Sequence, residues 1–170
     1  MYLRLLALLG IFNRQLLHRL GLPFLLLAVA ALVGGWLWMR MLDHGGAKSE
    51  QTLEPKNPLE LSAAFLFAGL FVGMLFITHL ALLYLGRGGL FAVAGVMGVT
   101  DVDPFILSLA ESGSALTPVT LAGGAISIAA ASNNLIKGIY AYGFGDRHTG
   151  TQGFALLAAL GLLGLLPLFL

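Results

Sequence analysis

Residues 20–41 read LGLPFLLLAVAALVGGWLWMRM, an apolar run whose one charge, Arg40, stands near its end. In water such a run would need a large protein around it, and this chain has only 170 residues. In lipid it needs no cover, because about 20 apolar residues rising 1.5 Å each match a hydrocarbon core about 30 Å thick. Residues 59–85, 116–142 and 154–170 meet the same condition. The rest of the chain cannot shield four such runs, since 58% of all residues are apolar and 10% are charged, against about 25% charged in a soluble domain. The sequence therefore predicts an all-α fold, a polytopic membrane helix bundle over residues 1–170 as a single transmembrane domain, with the lipid bilayer as its first partner.

Two weaker segments bring the hydrophobic total to about six. Residues 2–12 are apolar but too short to cross, and Asn13, Arg14 and Gln15 follow them. Residues 90–110 are long enough but are interrupted by Thr100, Asp101, Val102, Asp103 and Pro104. Both read as membrane-embedded without being ordinary spans. Residues 43–57 form the long polar stretch and are expected to be an exposed loop, with Asn57, Pro58 and Glu60 starting the next helix. Glycine-rich turns are expected at residues 86–89 and 145–150. Arg4 ahead of an apolar run resembles a secretory leader, but no A-x-A pattern follows, so the segment reads as a helix of the domain. With six crossings, Arg14, Arg19, Arg87 and Arg147 share one face, which the positive-inside rule puts narrowly on the cytoplasmic side.

Polar residues at membrane depth are costly, by about 2.5 kcal/mol or more for a charge at a helix centre, so they mark candidate sites. One cluster is Asp101 and Asp103. Pro104 pushes Asp103 out of the helical region, so Asp103 suits an N-cap with Pro104 as the first helical residue. The helix thus breaks at residues 100–104, the kind of discontinuity that builds cation sites in transporters. The other cluster, Ser132, Asn133, Asn134 and Lys137, lies on a continuous helix behind the small residues Gly123, Gly124, Ser127, Ala130 and Ala131, which let a neighbouring helix approach closely. Two roles compete for it: ligand binding, or hydrogen bonds that hold helices together, with Lys137 snorkelling to the interface. In a simple hairpin Lys137 would lie about 18 Å along the axis from the level of Asp103. A direct pair then requires the broken segment to fold back, and the working expectation is that the aspartates and Asn133 and Asn134 line one polar cavity.

Other features are blander. His79 is a lone histidine in a long helix and reads as a packed residue; no metal or cofactor is assigned. Gly69 and Gly73 form a weak GxxxG. No nucleophile elbow, phosphate loop or zinc-protease motif is present, so no enzyme is expected, and a net charge of +1 without a basic stripe offers no nucleic-acid partner. A faint internal repeat aligns Arg4 with Lys137, Asn13 with Asp146 and Arg14 with Arg147, each pair followed by a Leu/Ala-rich span.

The stretch from Gly89 to Asp103, the Ser-Leu-Ala at residues 108–110, the Ser-Asn-Asn-Leu-Ile-Lys at residues 132–137, Asn57-Pro58-Leu59-Glu60 and the opening Met1-Tyr2-Leu3-Arg4 together resemble the uncharacterised membrane domain found C-terminal to MgtC/SapB-type domains of bacteria and archaea. The resemblance implies a multi-pass protein of the prokaryotic cell (inner) membrane and a link to cation physiology. Family members usually carry more sequence upstream, including a Ser/Thr motif that mirrors the Asp-Val-Asp segment, so a separately encoded or truncated half is also implied. Two functions remain open. One is a transport or channel-like protein for a monovalent or divalent cation, with Asp101 and Asp103 as ligands, Ser132, Asn133 and Asn134 as polar partners and Lys137 as counter-charge. The alternative is a non-transporting assembly or regulatory subunit, acting as a homo-oligomer or with a partner membrane subunit.

Overall fold

The computed structural model describes residues 1–41, 61–111, 117–145 and 147–168. The expected loop at residues 43–57 and the helix start at residues 57–60 lie outside them. Among the described residues six helices follow in order: α1 (Tyr2–Phe12), α2 (Arg14–Met41), α3 (Leu61–Met97), α4 (Val102–Glu111), α5 (Val119–Phe144) and α6 (Arg147–Leu163), closed by a 3₁₀ turn at Leu166–Leu168. No strand occurs among the described residues. Spans within α2, α3, α5 and α6 are long and apolar enough to cross a membrane.

α5 is the axis of the bundle, buried along most of its length because its glycines, alanines and serines let neighbours approach. Gly123 lies under the Arg19 side chain of α2, and Gly124 lies under Phe91 and Leu168. The core of Leu5, Leu9, Leu20, Phe24, Phe105, Ile106 and Ile126 fills the space between α1, α2, α4 and α5. Outside it Leu22, Leu26, Phe65, Leu66, Leu83 and Leu162 are exposed. A girdle of that size is untenable in water and ordinary against lipid.

α3 is two arms. Gly86 has φ 61° and ψ −145°, a conformation glycine adopts without a Cβ clash, and the chain doubles back there. A Cβ on Gly89 would stand 2.7 Å from the Ala81 carbonyl oxygen, so the arms meet within two turns of the bend. The turn expected at residues 86–89 is present. The second arm, residues 87–97, descends parallel to α5, with Phe91 beside Gly124 and Gly98 beside Ala129 and Ser132. α4 then returns: Asp103 meets Arg4 near the start of α1, and Ala110 meets Asn13 at its end. Eleven residues down and ten back rise about 15 Å each, half of a hydrocarbon core. The interrupted segment is thus a re-entrant helical hairpin, both of whose ends lie at the same end of the bundle.

This geometry corrects the expected sidedness. Asn13, the turn at Gly86 and the end of α4 gather at one end of the bundle. The α5–α6 turn lies at the other, where the Trp38 indole N–H donates to Gln152 Oε1 at 2.7 Å. Arg147, first residue of α6, is therefore opposite Arg14, Arg19 and Arg87. The hairpin takes up one of the six expected segments, residues 90–110, without passing from one end of the bundle to the other, and α1, the other short segment, starts midway along α5. His79 is exposed on α3 beside the buried Thr78, and nothing packs within 4 Å of where a Cβ would stand on Gly69 or Gly73, so neither expected packing role is used among the described residues.

Candidate functional site

The hairpin tip is where polarity enters the bundle. α3 stops at Met97, residues 98–101 turn, and α4 begins at Val102. The break falls where Asp101 to Pro104 disfavour a continuous helix, but the capping residue differs from expectation. Asp101 Oδ1 accepts the Asp103 backbone N–H at 3.2 Å, so Asp101 is the cap and Asp103 stands in the first turn. Pro104 occupies the third helical position, where its missing N–H has no intrahelical acceptor to lose.

A broken helix at membrane depth frees carbonyl oxygens that lipid cannot satisfy. Here the Thr100 N–H donates to the Met97 carbonyl at 3.2 Å, and the Ser132 hydroxyl donates to the Gly95 carbonyl at 2.7 Å. Gly98 completes the seating. A Cβ built on it would lie 2.5 Å from Ser132 Cβ, 2.6 Å from the Ala129 oxygen and 2.8 Å from the Asn133 nitrogen. Only a residue without a side chain brings the tip against the α5 backbone.

Arg4 Nη2 stands 2.7 Å from Asp103 Oδ1, with Asp103 one-fifth exposed and Arg4 about half. The contact partner of the acidic tip is thus a residue of α1, which the sequence marked only as a cation within an apolar run too short to cross and as a match for Lys137. Lys137 is exposed and close enough to act electrostatically on Asp103, but it is not the contact partner. The hairpin tip sits against Ala129 to Asn133 of α5 and comes within electrostatic reach of Lys137 because the chain folds back on itself, which the simple-hairpin arithmetic does not allow for. Asp101 is exposed beside the pair.

Asn133 and Asn134 touch the start of α1. Asn134 Nδ2 donates to the Tyr2 hydroxyl at 2.8 Å, and that hydroxyl donates to the Leu160 carbonyl at 2.8 Å, tying α5, α1 and α6. Asn133 Nδ2 reaches Met1 Sδ at 3.6 Å, a weak contact. Asn134 therefore serves helix packing in this conformation, and Asn133 meets α1 through Met1. A groove of about 490 Å³ does pass Ser132, between α5 and α6, but its other walls, Ile128, Leu135, Leu162 and Leu165 among them, are apolar. Asn13 is a residue whose role the sequence left unread: its Oδ1 caps α2 by accepting from the Gln15 and Leu16 N–H groups, while its Nδ2 donates to the Ala110 carbonyl. Among the described residues no cluster of three or more His, Asp or Glu side chains occurs.

Long lipid-compatible helices, a half-length α1 and a re-entrant hairpin with a charged tip define a polytopic membrane protein. The chain belongs to the family described as "Domain of unknown function (DUF4010)", which matches residues 1–145. It is 33% identical over 106 residues to an "Uncharacterized protein" of Aquifex aeolicus (strain VF5), an alignment covering 62% of this chain and 44% of that one. The chain thus spans less than half the length of that relative. No solved structure matches it.

Proposed function

We propose that this chain transports a small cation, with the carboxylates of Asp101 and Asp103 at the re-entrant tip as its site and Arg4 as the counter-charge that holds Asp103 when the site is empty. The observation that carries the reading is the Arg4–Asp103 pair, 2.7 Å long, at the point where a half-helix begins inside the bundle. Charges placed there are expensive and mark ion pathways in other membrane proteins. A half-helix that starts mid-membrane is a recurring element of ion sites. The resemblance to the domain accompanying MgtC/SapB-type proteins supports a link to cation physiology, and a bacterial relative supports a prokaryotic cell membrane.

A second reading, an assembly or regulatory subunit, draws on the fact that Ser132 and Asn134 are committed to helix packing. Flux in reconstituted vesicles separates the two. Vesicles loaded with dyes for Na⁺, K⁺, H⁺ and Mg²⁺ should show flux of one cation with the unmodified chain, reduced at least about tenfold in Asp103→Asn and further in the double variant with Asp101→Asn. No flux, or equal flux in the double variant, establishes the subunit reading instead.

A further inference from the structure

The α1–α2 hairpin and the hairpin of the second half of α5 with α6 have the same construction. A constant offset of 133 positions, the separation of Arg14 and Arg147, carries the start of α2 onto the start of α6 and Arg4 onto Lys137. Their turns lie at opposite ends of the bundle, so the two hairpins are inverted with respect to each other. They cross where Asn133 meets Met1 and Asn134 meets Tyr2. The offset pairs Met1 with Asn134 and Tyr2 with Leu135, so each contact joins a residue to the neighbour of its equivalent. Arg4 stands three residues beyond that crossing on α1, and Lys137 three beyond it on α5, toward opposite faces.

Two equivalent cations thus flank the crossing, and one carboxylate, Asp103, touches Arg4 and lies within electrostatic reach of Lys137. The surface between the hairpin and α5 is built for two registers. Gly98 sits against the α5 backbone, and Gly95, three residues back on nearly the same face, has open space where a Cβ would stand. A slide of three residues, about 4.5 Å, with a rotation of about 60° about the helix axis, would bring Gly95 into the place of Gly98. Gly86, at positive φ, is a pivot at the mouth of the hairpin.

We propose that Arg4 and Lys137 are alternative partners of Asp103, and that the re-entrant hairpin of residues 87–111 steps by about one turn between them. Whichever cation is left unpaired at membrane depth attracts the hairpin back, which makes the arrangement bistable. The step deepens the transport reading and rests on it for its purpose: it would present the acidic tip to the two faces in turn, as rocking of inverted halves does in transporters.

The chain has no cysteine, so introduced pairs report without background. Asn13→Cys with Ala110→Cys reads the present register, because those side-chain and backbone groups touch. Ala141→Cys with Gly153→Cys reads the frame, since a Cβ on Gly153 would stand 3.4 Å from Ala141 Cβ, and should cross-link alike in every variant, which separates misfolding from a register change. Adding Arg4→Gln should lower the 13–110 disulfide about fivefold, and adding Lys137→Gln to it should restore the yield to within about twofold. Gly95→Val, which has room now and would meet the α5 backbone after the step, should abolish the response to Arg4→Gln. An unaffected yield in Arg4→Gln, or a yield that stays low when Lys137→Gln is added, overturns the exchange. Flux without exchange overturns this inference alone, whereas exchange in vesicles that move no cation overturns the transport reading and leaves the two-register hairpin standing.

Discussion

The hydroxyl of Ser132 donates at 2.7 Å to the carbonyl oxygen of Gly95, 37 residues earlier in the chain. That carbonyl belongs to the last turn before the break, and lipid offers it no donor. Ser132→Ala should therefore lower unfolding free energy in mixed micelles by about 1 kcal/mol. Ser127 is more deeply buried on the same helix, but its hydroxyl has no hydrogen-bond partner among the described residues, so Ser127→Ala should stay within about 0.5 kcal/mol of the parent. Equal losses at the two positions would show that Gly95 is satisfied by another group.

Gly98→Ala should destabilise by about 1–3 kcal/mol, because the added methyl meets the α5 backbone rather than a side chain that could turn away. Gly143→Ala, with open space around it, serves as the control and should leave unfolding unchanged. A Gly98→Ala protein as stable as the parent would mean that the tip is not seated on α5.

Tyr2→Phe removes the acceptor of Asn134 and the donor to Leu160 together. In a double-mutant cycle with Asn134→Ala, the coupling should be about 0.5–1.5 kcal/mol, the range of interhelical hydrogen bonds in membranes. Additive losses would place the two side chains in separate environments.

Sidedness is a direct test of the re-entrant hairpin. Gly88→Cys and Thr149→Cys are both exposed positions, at opposite ends of the bundle. A membrane-impermeant maleimide should label one in intact spheroplasts and the other only in inverted vesicles. Labelling of both from one side would restore six crossings and remove the hairpin.

The spans were legible because a helix in lipid must be apolar over about 20 residues whatever its neighbours, and length and hydropathy are local properties. The break was legible for a related reason: Asp101, Asp103 and Pro104 oppose a continuous helix by their own backbone and capping preferences. Even the small-residue face of α5 announced close packing before any neighbour was known. Partners were not legible, because each depends on which way a helix runs. Gly86 turns the chain, so the broken segment re-enters rather than crosses; Arg147 then falls on the far face, and Asp103 comes to Arg4 instead of Lys137. Asn133 and Asn134, polar and deep, had two roles open to them on sequence, and only the position of Tyr2 beside Leu160 turned Asn134 to packing. What belongs to a single helix could be read from the chain; what depends on the directions of two helices had to wait for the tertiary structure, because a charge at depth pairs with whichever opposite charge the topology brings within reach.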